Sequence, residues 1–357
     1  MQRCRSHNVV DARIESSMSS DPQHRHEPLL AVMDLTVDLI GESAQRGLIH
    51  DVSFTVAPGE SVALIGESGC GKTVTAMAVL GLLPRAFAVT GGQIRLAGRD
   101  LLGCTPRQLR GVRGRSIGAI FQEPMSSLDP TMRVGDQIAE ARRLHLGESR
   151  KVARVRAKEL LDRVGIADAQ RRLDSYPHEL SGGMQQRVMI ASAIACDPEL
   201  VLADEPTTAL DVTIQAEILD LLRELRREQG IAVLLVTHDL GVVADFCDRV
   251  VAMYAGTVVE RADVDALFAE PAHPYTRALL DAVPQTGNPR TLLPIIRGRV
   301  PSAGHFPAGC RFEPRCAHGG DERCLAPQHE TSLSDRRSVR CARAADGEPV
   351  ARPAATV

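Results

Sequence analysis

The chain has 357 residues, 24% of them charged and 44% hydrophobic, with a formal net charge of −3. That length suits about two domains with a sizeable core, and the mix excludes a fibrous or wholly disordered chain. The near-neutral balance argues against gripping nucleic acid through bulk charge.

In chain order, residues 1–28 are polar, rich in Ser, His, Arg and Asp, and read as a mobile tail. They lack the apolar stretch of a secretory signal. Leu29 to Leu39 alternates apolar and polar residues, as a strand does. Val52 to Val56 is a second strand, ending at the Pro58-Gly59 turn. Ser61 to Ile65 is apolar, a Gly-rich loop follows, and Val74 to Leu83 predicts a helix stopped near Pro84. Residues from about 135 to 195 are helical in character, with Val152, Val155, Leu160, Leu161 and Val164 recurring at helical spacing. Leu200 to Ala203 has the length of a buried strand. Val212 to Gln229 carries Ile214, Ile218, Leu221, Leu222 and Leu225 on one helical face and stops at Gly230. Ile231 to Val236 is another buried strand and the strongest apolar run. No run approaches the roughly 18 residues of a membrane helix.

Alternating strands and helices predict an α/β fold with a parallel sheet and a helical insertion. Beyond about 265, Pro271, Pro274, Pro284, Pro289, Pro294, Pro301, Pro307 and Pro314 break up any long element. The expected division is a tail over 1–28 and a core domain over 29–265, with its helical subdomain at about 135–195. A small Cys- and Pro-rich C-terminal domain follows over 266–345. The composition loosens from Ala342, and 346–357 is a second tail. Nine cysteines without a visible export signal point to a reducing compartment, hence a cytosolic location.

Three segments carry chemistry. Gly66, Glu67, Ser68, Gly69, Cys70, Gly71, Lys72 and Thr73 match G-x-x-x-x-G-K-[ST] between a strand and a helix. Glycines let backbone N–H groups turn toward phosphates, and the helix N-terminus adds partial positive charge. Lys72 is expected to reach the β- and γ-phosphates and Thr73 to ligate Mg²⁺. Val201 to Glu205 is an apolar strand ending in two carboxylates. Asp204 suits the Mg²⁺ shell and Glu205 the attacking water. Leu180 to Arg187 opens a helix with Ser181, Gly182 and Gly183, a backbone-rich anion site. Cys70 reads as a small residue filling space, with the other reading a thiol whose pKa is lowered by the helix N-terminus and whose oxidation would block ATP.

Together these segments resemble the ATP-binding subunits of ABC transporters, with every diagnostic motif in order over about residues 29–260. Gly66–Thr73 corresponds to the Walker A loop and Gln122, in Phe121-Gln-Glu-Pro, to the Q-loop. Leu180–Arg187 corresponds to the signature and Leu202–Glu205 to Walker B. Ala209-Leu-Asp211 corresponds to the D-loop and His238, in Thr-His-Asp239, to the switch histidine. The resemblance implies a P-loop NTPase fold, ATP and Mg²⁺ as cofactors, and a head-to-tail dimer. In that dimer, Ser181, Gly182 and Gly183 meet the partner's nucleotide. It further implies that Thr73, Gln122 and Asp204 surround Mg²⁺, that Asp211 lies at the shared site, and that Glu205, His238 and Lys72 serve catalysis. One departure is Leu39, where family members usually carry an aromatic that stacks on adenine.

Phe121-Gln-Glu-Pro-Met-Ser-Ser-Leu-Asp-Pro130, Tyr176-Pro-His-Glu-Leu-Ser-Gly-Gly and His273-Pro-Tyr-Thr-Arg-Ala-Leu280 are similar to the oligopeptide/dipeptide importer ATPases. That group also includes nickel and glutathione importers. Its members pair two related ATPases beneath two membrane-spanning permease subunits, fed by an extracytoplasmic binding protein. The resemblance thus places the chain at the cytoplasmic face of the membrane, with no nucleic-acid partner. Cys310, Cys316, Cys324 and Cys341 suit a [4Fe–4S] cluster, which some members carry, a structural Zn²⁺, or four unliganded thiols. The rival readings are a soluble non-transport ABC ATPase and a metal-sensing C-terminal domain with the ATPase as its output.

Overall fold

The computed structural model describes residues 27–40, 47–208, 211–283, 295–302 and 304–348. Most of the 1–28 tail, Ala209 and Leu210, and the end of the chain from 349 lie outside the described residues.

The first half of the chain forms β1 (Leu30–Leu39), β2 (Ile49–Val56), β3 (Ser61–Ile65), α1 (Lys72–Leu80), β4 (Phe87–Leu96), β5 (Arg99–Asp100), α2 (Pro106–Val112) and β6 (Ile117–Ile120). A helical stretch follows: α3 (Pro124–Ser127), α4 (Val134–Leu146), α5 (Arg150–Arg163), α6 (Ala169–Arg172) and α7 (Gly182–Ala193). Strands return with β7 (Leu200–Asp204), α8 (Val212–Gln229), β8 (Ala232–Val236), α9 (Leu240–Phe246), β9 (Arg249–Tyr254) and β10 (Thr257–Asp263). The remainder holds α10 (Val264–Ala269), α11 (Pro274–Asp281), β11 (Thr331–Ser334), β12 (Arg337–Val339) and α12 (Ala342–Ala345).

Two sheets result. The larger runs β11-β12-β10-β9-β3-β8-β7-β6, and its stretch from β9 to β6 is parallel. Strands β3, β7 and β8 are buried on both faces, and their residues still alternate between two cores. Ile65, Val201, Ala203, Val233 and Leu235 face one core, which includes helices α4, α5, α7 and α8. Leu64, Leu200, Leu202, Leu234 and Val236 face the other, which includes β1, β2 and α1. The second sheet, β2-β1-β4-β5, is antiparallel and covers that second face. The sequence gives no strand signal at Phe87–Leu96 because Gly91-Gly92 interrupts the alternation.

Helix ends follow their caps. Thr105 and Gln108 form a capping box on α2, Ser149 and Ser181 accept from the first turns of α5 and α7, and Asp211 accepts from the Ile214 amide. Gly230 closes α8 in the left-handed conformation. Two details differ from the sequence expectation. Helix α1 stops at Gly81, three residues before Pro84, because Gly81 adopts φ 62 and its amide returns to Ala78. On α5 the buried stripe is Ala153, Ala157, Leu160 and Leu161, whereas Val152 and Val155 are 47% and 53% exposed. Small alanines on the true i, i+4, i+7, i+8 stripe pack inward, and the two valines lie beside it.

The C-terminal part is joined to the core by strand pairing and by shared side chains. Strand β12 pairs antiparallel with β10, and Tyr275 and Phe312 lie in the same core as the parallel sheet. The Tyr254, Tyr275 and Phe312 rings form a tilted cluster with centroids 4.7 to 5.3 Å apart. Arg340 donates to the Asp51 carboxylate at 2.8 Å, tying the end of the chain to β2.

Candidate functional site

Four parallel strands deliver the site. At their carboxyl ends lie the loop after β3, Gln122 after β6, Glu205 after β7 and His238 after β8. This is the edge at which open α/β sheets bind ligands.

The loop from Gly66 to Gly71 wraps back on itself before α1. At Gly66, φ is 147, and a Cβ there would sit 2.2 Å from the Met253 carbonyl oxygen, so no other residue fits. Gly71, with φ 105, caps α1. Lys72 folds over the loop. Its Nζ donates to the Gly66 carbonyl at 2.8 Å and to the Glu67 carbonyl at 3.1 Å, and the residue is only 6% exposed. A buried ammonium held by loop carbonyls at the start of a helix is a ready site for a polyphosphate. Cys70 fits the space-filling reading rather than the reactive one: it is 1% exposed, and burial pushes its pKa up against the opposing Lys72 charge.

The two carboxylates at the end of β7 have different surroundings. Asp204 is buried, and its carboxyl lies above the usual range through burial, with the Thr73 hydrogen bond pulling the other way. The Thr73 hydroxyl donates to Asp204 Oδ1 at 3.4 Å. An inward carboxylate beside a hydroxyl, with no direct cation partner among the described residues, fits the hard oxygen donors that Mg²⁺ takes.

Glu205 is held from three sides. Gln122 Nε2 donates to Oε2 at 2.9 Å, Thr208 Oγ1 donates to the same oxygen at 2.9 Å, and His238 Nδ1 lies 3.0 Å from Oε1. Its backbone has φ 47, a left-handed conformation strained for a glutamate, and its amide donates to Val236 at 2.8 Å. Burial works against ionisation here. The hydrogen bonds from His238 and Thr208 outweigh it and hold the carboxyl below its usual value. An ionised, immobilised carboxylate at this edge can accept a proton from a water molecule.

The structure thus brings together Lys72, Thr73, Gln122, Asp204, Glu205 and His238. The Gln122 amide and the His238 ring are directed onto Glu205. Ser181, Gly182 and Gly183 stand elsewhere, at the start of α7, where Ser181 accepts from the Met184 amide. Among the described residues no hydrogen bond joins them to the phosphate loop. Gln186 from the same helix donates to Pro206, one residue past Glu205. Asp211 caps α8. Leu39 ends β1, 44% exposed, opposite Phe87 of β4.

In the C-terminal part the four cysteines gather. The Cys310 amide donates to the Cys324 carbonyl at 2.8 Å, and Cys341 caps α12. Burial pushes the Cys310 thiol up to about 12 and Cys316 up to about 11, and each is raised further by charge on the other cysteines of the group. Among the described residues no three His, Cys, Asp or Glu side chains converge as a metal-binding group.

Two groups with no motif to mark them reach the phosphate loop. Arg315 forms a two-pronged ion pair with Glu67, at 2.6 and 3.0 Å, and the Tyr275 hydroxyl accepts from the Glu67 amide at 2.8 Å. The only sequence cue was the place of Tyr275 inside the importer-like segment His273–Leu280.

Comparison with known proteins matches this architecture. A family profile described as ABC transporter matches residues 49–208, and one described as the C-terminal region of oligopeptide/dipeptide transporters matches 259–324. A chain of Brucella abortus (strain 2308), provisionally named a peptide import ATP-binding protein, is 48% identical over 314 residues, spanning 88% of this chain and 94% of the relative. A Sinorhizobium fredii chain, provisionally named a peptide ABC transporter ATP-binding protein, is 52% identical over 84% of this chain and 89% of its own length. Among solved structures, a dimeric ATP-binding cassette in a post-hydrolysis state with ADP and Pi is 28% identical. It aligns with a TM-score of 0.59 over 66% of this chain and 98% of its own. Clostridium perfringens cbiO1, part of the cbiONQ ABC transporter complex, is 27% identical with the same TM-score, over 69% of this chain and 92% of its own. The chain belongs to the ATP-binding subunits of ABC transporters, in their oligopeptide/dipeptide importer family.

Proposed function

We propose that this chain is the ATP-hydrolysing motor of a di- or oligopeptide importer, with Glu205 as the base that activates water. The observation that carries this reading is the immobilised Glu205 carboxylate, gripped by Gln122, Thr208 and His238 beside the Thr73–Asp204 pair. Lys72 and the amides of Gly66–Thr73 take the phosphates of ATP, and Thr73, Gln122 and Asp204 hold Mg²⁺. The ion supplies charge neutralisation at the β- and γ-phosphates when bound. His238 orients Glu205 and reaches the γ-phosphate. Ser181, Gly182, Gly183 and Asp211 serve a site on a second ATPase subunit, since they stand apart from this chain's own loop. Residues 29–265 act as the motor domain, with the helical subdomain at about 135–195, and 266–345 as the C-terminal unit.

Peptide as the cargo rests on the names of the relatives, with nickel or glutathione as the other cargo chemistries of this family. The partners are two membrane-spanning permease subunits and a second, related ATPase, at the cytoplasmic face of the membrane, with an extracytoplasmic binding protein supplying cargo. No helix among the described residues is long and apolar enough to cross a membrane, which suits a peripheral subunit. For Cys310, Cys316, Cys324 and Cys341 the proposed occupant is a [4Fe–4S] cluster. The support is the chemistry of the donor set alone: four thiols, two buried and two half-buried, near enough for charge on one to raise the pKa of another.

An anaerobic affinity pull-down of this chain from its own membranes, with metal analysis, tests these points together. Two multi-spanning proteins, a second ATPase and iron near four per chain are expected. Ribosomes or nucleic acid without a membrane protein would overturn the transport reading. Zinc, or no metal at all, would overturn the cluster.

A further inference from the structure

We propose that Arg315, in the C-terminal part, is a positioning residue for the phosphate loop: its guanidinium fixes Glu67 and so presets the loop for nucleotide. The proposal rests on Gly66–Thr73 being the nucleotide-phosphate loop.

The geometry is that of a clamp. Arg315 Nη1 and Nη2 meet the two Glu67 carboxylate oxygens at 2.6 and 3.0 Å, the fork-to-fork arrangement that sets direction as well as attraction. The other guanidinium bonds go to fixed groups. Nε donates to the Arg297 carbonyl at 2.7 Å, Nη2 to the Ile296 carbonyl at 3.3 Å, and Nη1 also reaches the Tyr254 hydroxyl at 3.3 Å. The Arg315 side chain is only 5% exposed, so it has little freedom to turn elsewhere.

The other end of the clamp is the loop itself. Glu67 presents its carboxylate to Arg315, its amide to the fully buried Tyr275 hydroxyl, and its carbonyl to Lys72 Nζ. A continuous chain of bonds therefore runs from the C-terminal part through Glu67 to the lysine that meets the phosphates. Loop amides must converge on one ligand, and ordering them beforehand removes that cost from binding. A surface ion pair would contribute little. This one joins a buried guanidinium to the loop that carries the chemistry.

The test uses the full chain with mant-ATP and Mg²⁺, together with the ATPase rate of the assembled transporter. Arg315→Gln and Glu67→Gln are each expected to weaken mant-ATP binding about tenfold, as lost preorganisation does, and Arg315→Gln to raise KM while leaving kcat near that of the wild type. The double variant is expected to bind no worse than either single one, and Arg315→Lys to recover part of the loss. Tyr275→Phe, which removes one hydroxyl and no charge, gives a smaller loss in the same direction and covers the case of an Arg315 variant that does not fold. Wild-type affinity in Arg315→Gln with only a lowered urea midpoint would overturn the proposal, as would additive losses in the double variant. A wild-type chain that binds no mant-ATP would overturn the nucleotide reading itself.

Discussion

Gln122 and Glu205 are 83 positions apart in the chain, yet the Gln122 side-chain amide donates to Glu205 Oε2 at 2.9 Å. The second residue after β6 and the first after β7 meet because the two strands are parallel neighbours in the sheet. A conformational change at Gln122 therefore acts directly on the carboxylate proposed to activate water.

Glu205→Gln keeps the side-chain shape and removes the proton acceptor. ATP binding is expected to persist while kcat falls at least ~100-fold, the usual scale of a lost general base. Normal turnover by this variant, assayed with its partner subunits, would remove Glu205 from the role.

Lys72→Ala removes the charge that now sits between the Gly66 and Glu67 carbonyls. Nucleotide affinity is expected to fall by a factor on the order of 100, within the range of a buried charge-assisted contact. Equilibrium binding of mant-ATP reads this, and unchanged affinity would show that phosphates lie elsewhere.

His238→Ala tests the pH dependence. Burial opposes ionisation of Glu205, and His238 is the foremost group holding its carboxyl below the usual range. Without the ring the carboxyl pKa rises, so Glu205 is protonated at a higher pH. The acid limb of the ATPase rate is expected to move to higher pH in this variant. An acid limb that stays in place would mean that His238 acts only on the nucleotide.

His273 governs acid stability. It is fully buried, its Nδ1 accepts from the Tyr275 amide at 3.0 Å, and burial pushes its pKa down from 6.5 to about 3. Between those values the unfolded chain takes up a proton that the native chain does not. Stability therefore falls as pH drops below 6.5, by up to about 1.4 kcal/mol per pH unit. His273→Asn keeps a cap acceptor and loses the titration. The gap between urea midpoints at pH 7.5 and pH 5 is expected to shrink, and an unchanged gap would assign the acid sensitivity to other groups.

Most of the site was legible in the sequence because each part is local. A strand, a turn and a few polar residues at its carboxyl end mark the loop at Gly66–Thr73 and the Asp204–Glu205 pair, and His238 is marked by its place in the family's motif order. Val212–Gln229 was legible down to its glycine stop. What escaped depends on distance or on sparse signals. Strand β4 hides behind Gly91-Gly92, and the buried stripe of α5 is made of alanines. The Cys70 environment is set by the fold around it rather than by the helix it precedes. Arg315 and Tyr275 act on Glu67 from 248 and 208 positions away, and no local pattern announces such a pairing.

That separation has a consequence during synthesis. Glu67 leaves the ribosome 248 positions ahead of Arg315. At ~5–20 residues per second, the interval is on the order of 10–50 s. Once His238 has emerged the nascent chain displays every nucleotide motif, while the carboxylate at the head of the loop still waits for its guanidinium. A polypeptide ended early by a nonsense codon or a stalled ribosome would carry the whole motif set on a slack loop. On the proposed role of Arg315, full grip on ATP waits until residue 315 has been made.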